Sequence, residues 1–171
     1  MKLIIINGSP ASGKSTLAEK LHQDLPMSLL ADIDAWRRLI SGWRDNREQS
    51  LTNTYKFTVA AVDAYLKMGH SVVVDKAILS DLHTIDELIE SVKKHDAEIY
   101  EFILTADKEI IVDRANKRGF HENRLLTPER VVELWQAAEK LTGERMHAVK
   151  IDTSNLTPDD VYQKVRNIVF S

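Results

Sequence analysis

The sequence predicts an α/β protein whose parallel sheet is covered by helices on both faces, and three observations predict it. Short apolar runs alternate with longer amphipathic segments along the 171 residues. The runs are apolar on successive residues, as strands buried on both faces are. A glycine-rich turn joins the first run to the first helical pattern.

The expected strands are Leu3–Ile6, Ser28–Ala31, Ser71–Val74, Ile99–Leu104 and Val149–Ile151. After the glycine-rich turn, Leu17, Ala18 and Leu21 give the segment from about Lys14 to Asp24 one apolar face. Leu51, Tyr55, Val59, Val62 and Leu66 recur at spacings of three and four, so they form one core-facing stripe. Thr84 and Glu87 have the spacing of a capping box for a helix through Val92. Thr127-Pro128 caps and starts a helix whose stripe is Val131, Leu134, Trp135, Ala138 and Leu141. Thr157-Pro158, with Asp160 three residues after the cap, opens a last helix with the face Val161, Val165 and Ile168.

No repeat, low-complexity tract or Pro/Gly/Ser linker divides the chain, so residues 1–171 read as one domain. A net charge of -3 argues against a general nucleic-acid or membrane-surface binder, while leaving room for a local basic patch. The absence of cysteine excludes disulfides, thiolate metal sites and cysteine nucleophiles. The run Leu3–Ile6 is too short for a secretory h-region of about 7–15 residues. No run approaches the ~20 apolar residues of a membrane span. A cytoplasmic location is expected.

Gly8-Ser9-Pro10-Ala11-Ser12-Gly13-Lys14-Ser15 fits G-x-x-x-x-G-K-[ST] at every fixed position. Such a loop wraps polyanionic phosphates with backbone N–H groups, and its glycines permit close approach and strained dihedrals. The positive end of the following helix, with Thr16 in its first turn, faces the same phosphates. Lys14 is expected to reach the β- and γ-phosphates of ATP or GTP, and Ser15 to coordinate Mg²⁺. A guanine-reading N-K-x-D motif is not present, because Gly119 follows Asn116-Lys117-Arg118 where the aspartate would stand. Motor ATPases need a longer chain.

The second strand leads into Asp32-Ile33-Asp34 and then Trp36-Arg37-Arg38. Ligands of parallel sheets lie at the carboxyl ends of the strands. One carboxylate can therefore serve as base or orient an attacking hydroxyl, and the other can hold Mg²⁺ through water. Asp34, deeper in the turn, is the preferred base, and Arg37 or Arg38 would hold an anionic acceptor group. The plainer alternative is that one aspartate caps the next helix. Val72-Val73-Val74-Asp75 has the Walker B form, with Asp75 directed at Mg²⁺ or its water shell; Lys76 beside it can be its ion-pair partner.

Arg114 and Arg118 continue the stripe of Ile110 and Ile111 at the end of a helix entering a polar loop. They suit a lid, about residues 115–127, that closes over ATP, stacks on the base and neutralises charge on the transferred group. Arg124 within it is a further acceptor contact. The alternative is a solvated helix with an Asp113–Lys117 pair. Residues Ile151 to Leu156 either line the base or form an ordinary turn. The six histidines form no ligand pattern, and only His121 falls in the lid. Trp36 and Trp43 with Arg44 and Arg47 read as an acceptor-binding segment or as a core anchor with a charged rim.

With these residues assembled, the chain resembles the nucleoside-monophosphate-kinase-like branch of P-loop proteins. That branch includes shikimate and gluconate kinases, chloramphenicol phosphotransferase and AAA-type small kinases. The likeness rests on Gly8–Ser15, Asp32–Asp34, the strand to Asp75 and the Arg114–Arg118 spacing. It implies a three-layer α/β/α P-loop kinase fold with a five-stranded parallel sheet and a short lid. It also implies Mg-ATP as donor and an acceptor hydroxyl near Asp34. The acceptor motifs of the shikimate, gluconate and adenylate types are absent. The expected activity is therefore transfer of the γ-phosphoryl group to a hydroxyl of a metabolite or antibiotic. The alternatives are a nucleotide or nucleic-acid 5′-end kinase, which calls for a basic groove leading to Asp34, and a nucleotide-dependent switch or ATPase.

Overall fold

A computed structural model describes residues 1–75, 81–119 and 126–171. Its strands are β1 (Lys2–Gly8), β2 (Leu29–Asp32), β3 (Val72–Asp75), β4 (Glu98–Thr105) and β5 (Val149–Asp152). They form one sheet in the order β2-β3-β1-β4-β5 with every pairing parallel. The helices are α1 (Lys14–Asp24), α2 (Ile33–Arg38), α3 (Arg47–Lys67), α4 (Leu82–Lys93), α5 (Lys108–Arg118), α6 (Pro128–Glu144) and α7 (Pro158–Val169).

The continuous apolarity of the strands has a direct cause, because alternate residues of one strand enter different cores. Leu3, Ile5, Val72, Val74 and Ile103 pack on Tyr55, Val62 and Leu66 of α3 and on Ile85, Leu88 and Val92 of α4. Ile4, Ile6, Val73, Phe102 and Leu104 pack on Leu17, Ala18 and Leu21 of α1 and on Val161, Val165 and Val169 of α7. This is the three-layer arrangement, with helices on both faces of the five-stranded sheet. A third, smaller cluster joins α5 to α6 through Ile111, Ala115 and Val131, and Trp135 Nε1 donates to the Ala106 carbonyl at 2.9 Å.

Two local expectations need correction. The N-cap of α4 is Asp81, whose Oδ1 accepts from Thr84 N at 3.2 Å while Thr84 Oγ1 donates to Asp81 Oδ2 at 2.7 Å. Thr84 thus stands three residues into the cap motif as its partner. The final helix turns Val169 to the core and leaves Ile168 37% exposed, so the stripe runs at strict spacings of four. The polar side of α3 is also buried. Ser50, Thr54 and Thr58 are buried there; the threonines satisfy their hydroxyls within the helix, Thr54 Oγ1 to Ser50 O at 2.7 Å and Thr58 Oγ1 to Thr54 O at 2.8 Å. Lid residues 120–125 lie outside the described residues. No helix among the described residues is long and apolar enough to cross a membrane.

One polar clamp ties the layers away from the strand ends. Arg145, after α6, donates to both carboxylate oxygens of Glu101 on β4 at 2.9 and 2.8 Å, and to Asp86 on α4 at 2.7 Å. Glu101 retains 8% side-chain exposure and Arg145 15%. Removing one partner of so enclosed a pair strands the other. Arg145→Ala is expected to lower stability by about 3 kcal/mol in urea denaturation, with Arg145→Met/Glu101→Leu recovering most of the loss.

Candidate active site

The carboxyl ends of β1, β2 and β3 meet at one edge of the sheet and deliver Gly8, Asp32 and Asp75 to it. The turn after β1 is constrained by its own packing. Gly8 pairs in register with Leu104, has φ +138°, and a Cβ there would lie 2.2 Å from the Leu104 carbonyl oxygen. Only glycine fits. Ala11 is left-handed at φ 57°, and Gly13, at φ 95°, caps α1 without any side-chain hydrogen bond. The first amides of α1 are therefore met by no capping side chain.

Inside the loop, the Ser9 carbonyl accepts from Ser12 N at 3.4 Å, Ser12 Oγ at 2.8 Å and Lys14 Nζ at 2.6 Å. Lys14 is thus folded back across the loop. Ser9 is 1% exposed, and its hydroxyl has no hydrogen-bond partner among the described residues. A glycine-lined cradle, a helix start without a side-chain cap and an unsatisfied buried hydroxyl together fit a polyanionic ligand.

The same edge holds oxygen donors suited to a hard divalent cation. Asp75 is buried, and the Ser15 hydroxyl lies close enough to its carboxylate to favour the charged form. Asp32 pairs with Asp75 in register on the neighbouring strand. Burial pushes the Asp75 carboxyl above its ordinary range; the Ser15 hydroxyl and the Lys14 charge oppose this, and Asp32 and Asp34 reinforce it. No cluster of three or more His, Asp or Glu among the described residues forms a metal site by itself. Ser15 and Asp75 instead suit an ion that draws its remaining ligands from phosphate and water.

Asp32 has a second duty. Its Oδ1 accepts from Ala35 N at 2.9 Å, so it is the N-cap of α2. Asp34 is exposed in the first turn of that helix. Burial pushes the Tyr55 phenol on α3 up, and the charges of Asp81 and Asp34 add to this while Arg37 opposes it. Arg37 turns inward. It donates through Nε to Ser50 Oγ at 3.0 Å and through Nη2 to the Arg47 carbonyl, and it lies over the Trp43 ring at 5.2 Å. Arg38 is exposed, and its Nε donates to the Asp34 carbonyl at 3.1 Å. Trp36 anchors the segment, edge-on to Phe57 at 5.1 Å.

On the other side of the loop lies a cavity of about 160 Å³ lined by Gly13, Thr16, Leu17, Arg114, Thr153 and Leu156, among others. Arg114 is fixed there, donating to Thr153 Oγ1 at 3.0 Å and to the Thr153 carbonyl at 2.7 Å. Arg118 does not join it and stays exposed in the last turn of α5. Lys117 and Asp113 form the surface pair at 2.7 Å that the spacing permits. The segment Ile151–Leu156 contributes Thr153 and Leu156 to this cavity wall. Lys76, His121 and Arg124 lie outside the described residues. Ser9 was expected in the loop, but not the burial of its hydroxyl, and Tyr55 was expected only in a core stripe. A buried serine in a loop and a tyrosine in a core stripe carry no spacing signal of their own.

Fold and site together define a P-loop domain of the kinase type. The chain belongs to the AAA domain family, whose model matches residues 3–142. Among solved structures, it is similar to a candidate kinase of Chloroflexus aurantiacus, with TM-score 0.71 and 18% identity over 99% of this chain and 96% of the other. It is likewise similar to the tunicamycin resistance protein of Deinococcus radiodurans, with TM-score 0.68 and 20% identity over 99% and 96%. A gluconokinase of Sinorhizobium meliloti 1021 matches with TM-score 0.66 and 18% identity over the same shares. At these identities the likeness establishes the fold. No curated protein matches the chain.

Two measurements follow from the geometry. Gly8→Ala should cost at least about 2 kcal/mol in denaturant unfolding, because the new Cβ cannot coexist with the Leu104 carbonyl. Asp75 binds its proton more tightly folded than unfolded, so stability should fall as pH rises from its ordinary value of 3.8 through the raised folded value. Asp75→Asn should flatten that decline and raise the melting temperature of the ligand-free protein at pH 7.

Proposed function

We propose that the protein is an ATP-dependent phosphotransferase that moves the γ-phosphoryl group to a hydroxyl of a small molecule. The observation that carries this reading is the buried Asp75 carboxylate, with the Ser15 hydroxyl and the Lys14 charge acting on it, and Asp32 and Asp34 on the next strand and turn. Phosphate binding alone needs the loop; it does not need a second carboxylate strand at the same edge. The fold shared with kinases supports the reading. The absence of a membrane-spanning helix among the described residues is compatible with work in the cytoplasm, where ATP is available.

In this reading the amides of residues 8–16, from Gly8 and Ser9 through Pro10 to Thr16, cradle the phosphates, Pro10 shaping the loop without an N–H of its own. Lys14 leaves the Ser9 carbonyl to hold the β- and γ-oxygens. Ser15, Asp75 and Asp32 would hold Mg²⁺, which would neutralise phosphate charge. Arg114 closes the base cavity and presents its guanidinium plane to the base, and Arg118 brings charge from the lid side. The acceptor hydroxyl lies by Asp34, which takes its proton. Its oxygen bonds to the γ-phosphorus as the bond to the β,γ-bridging oxygen breaks, and ADP leaves with that electron pair. Arg37 acts by holding the α2–α3 corner, while Arg38 and Arg124 are the acceptor-side cations.

Lys14→Ala is expected to abolish acceptor-dependent ADP release while leaving the circular dichroism and melting temperature near wild type. Turnover by the folded variant would remove the loop from the reaction. Asp34→Asn should lower kcat by about 10²–10⁴ with ATP affinity little changed. A loss below tenfold would take the base role from Asp34. A panel of hydroxyl compounds with Mg-ATP, read as ADP release above background, tests the activity itself; no release with any acceptor class would count against it.

A further inference from the structure

The segment between α2 and the first turn of α3 is a positive pole in a negatively charged chain. Residues 36–47 carry Arg37, Arg38, Arg44 and Arg47 against the single acid Asp45, a local charge of +3 where the whole chain has -3. Of the other described arginines, Arg114 bonds Thr153, Arg118 is exposed, and Arg130, Arg145 and Arg166 each pair with a carboxylate. Among the described residues, none of the four arginines of this corner does so.

The corner is also held in shape. Arg37 bonds Ser50 Oγ and the Arg47 carbonyl, and Ser50 Oγ donates to the Trp43 carbonyl at 3.1 Å. Backbone bonds from Trp43 N to Ile40 O at 3.2 Å and from Asp45 N to Gly42 O at 3.1 Å close the turns. Gly42 takes φ +68° to make the bend. Trp43 lies between two guanidiniums, Arg37 and Arg44, each 5.2 Å from its ring centre. Arg37 is therefore an internal brace. Arg38, Arg44 and Arg47 are exposed, and Arg38 is tied by its Nε to the carbonyl of Asp34.

Exposed guanidiniums bind phosphate oxygens, and the two held by a ring (Arg44) and a carbonyl (Arg38) do so with little ordering cost. Three of them, spread from the end of α2 to the start of α3, exceed what one monoanionic group needs. We infer that the acceptor is a ribose 5′-hydroxyl flanked by phosphate: Arg38, Arg44 and Arg47 hold the phosphates on the 3′ side while the hydroxyl reaches Asp34. This rests on the phosphotransferase reading and names its substrate class; a chain-end substrate would replace the small-molecule acceptor of that reading and leave its phosphoryl transfer in place. The shared chemistry has two sources, a nucleoside 3′-phosphate and the 5′-hydroxyl end of a single-stranded oligonucleotide. The transfer balances as above, with the 5′-oxygen forming the new P–O bond, its proton going to Asp34, and ADP released.

The test uses the full chain and a single-stranded oligonucleotide with a free 5′-hydroxyl and a fluorophore at its 3′ end. Anisotropy should report binding that weakens with salt. Arg38→Ala/Arg44→Ala/Arg47→Ala should weaken it at least about tenfold and reduce the log–log salt slope by about 2, at roughly 0.7 per phosphate contact on single strands. An unchanged melting temperature of the triple variant would show that the loss is not unfolding. Phosphorylation of the oligonucleotide but not of a nucleoside 3′-phosphate identifies a chain-end substrate, and phosphorylation of both identifies the nucleotide unit. Binding of Mg-ATP with no binding of either acceptor, or a triple variant that binds as wild type does, overturns the inference and leaves the phosphotransferase reading in place. Failure to bind Mg-ATP counts against that reading, while the anisotropy still decides the role of the corner.

Discussion

The end of β1 lies so close to β4 that no side chain fits at Gly8, and the rest of the site depends on this contact. The register that sets Gly8 opposite Leu104 also sets Ile6 opposite Asp75 on the other neighbour. One strand therefore fixes both the start of the phosphate loop and the height of the carboxylate that meets Ser15. Because the strand is buried on both faces, a slip of register would exchange its two apolar sets between cores. Packing thereby enforces the positions of polar groups that contribute nothing to packing.

Those polar groups carry a cost in the ligand-free protein. Asp75 is enclosed with its carboxyl biased toward protonation, the Ser9 hydroxyl has no partner among the described residues, and Gly13 leaves the start of α1 without a side-chain cap. Each is unfavourable in isolation, and all belong to the same edge of the sheet, at the ends of β1 and β3. A phosphate chain with a divalent cation would relieve them together, which links ligand binding to stability. The remote Arg145–Glu101–Asp86 clamp, fully paired, lies on α6, β4 and α4 and is not part of this edge.

Much of this was legible in the chain because the relevant signals are local. Five strands, the loop and the capped starts of α6 and α7 each depend on residues a few positions apart. The expectation that an aspartate of Asp32–Asp34 caps a helix and the expectation that it serves the site are compatible, since Asp32 caps α2 and Asp34 stays exposed. What was not legible depends on long-range contact. Nothing near Arg114 in sequence announces Thr153, yet that contact separates Arg114 from Arg118 and makes it a wall of the cavity. Arg37 and Arg38 are adjacent in sequence, but a helix turns them to different sides, one to Ser50 and the other to solvent. The capping residue of α4 was misplaced because Thr84 also accepts that role by type; Asp81 takes it in the fold.

The central claim is that this loop and the Ser15–Asp75 pair form one Mg-nucleotide site. Isothermal titration of the purified chain with a non-hydrolysable ATP analogue, with and without Mg²⁺, tests it most directly. The account requires one site per chain, with affinity that rises when Mg²⁺ is present and a Mg²⁺ effect that is lost in Asp75→Asn. No heat of binding, or binding indifferent to both Mg²⁺ and Asp75, would contradict it.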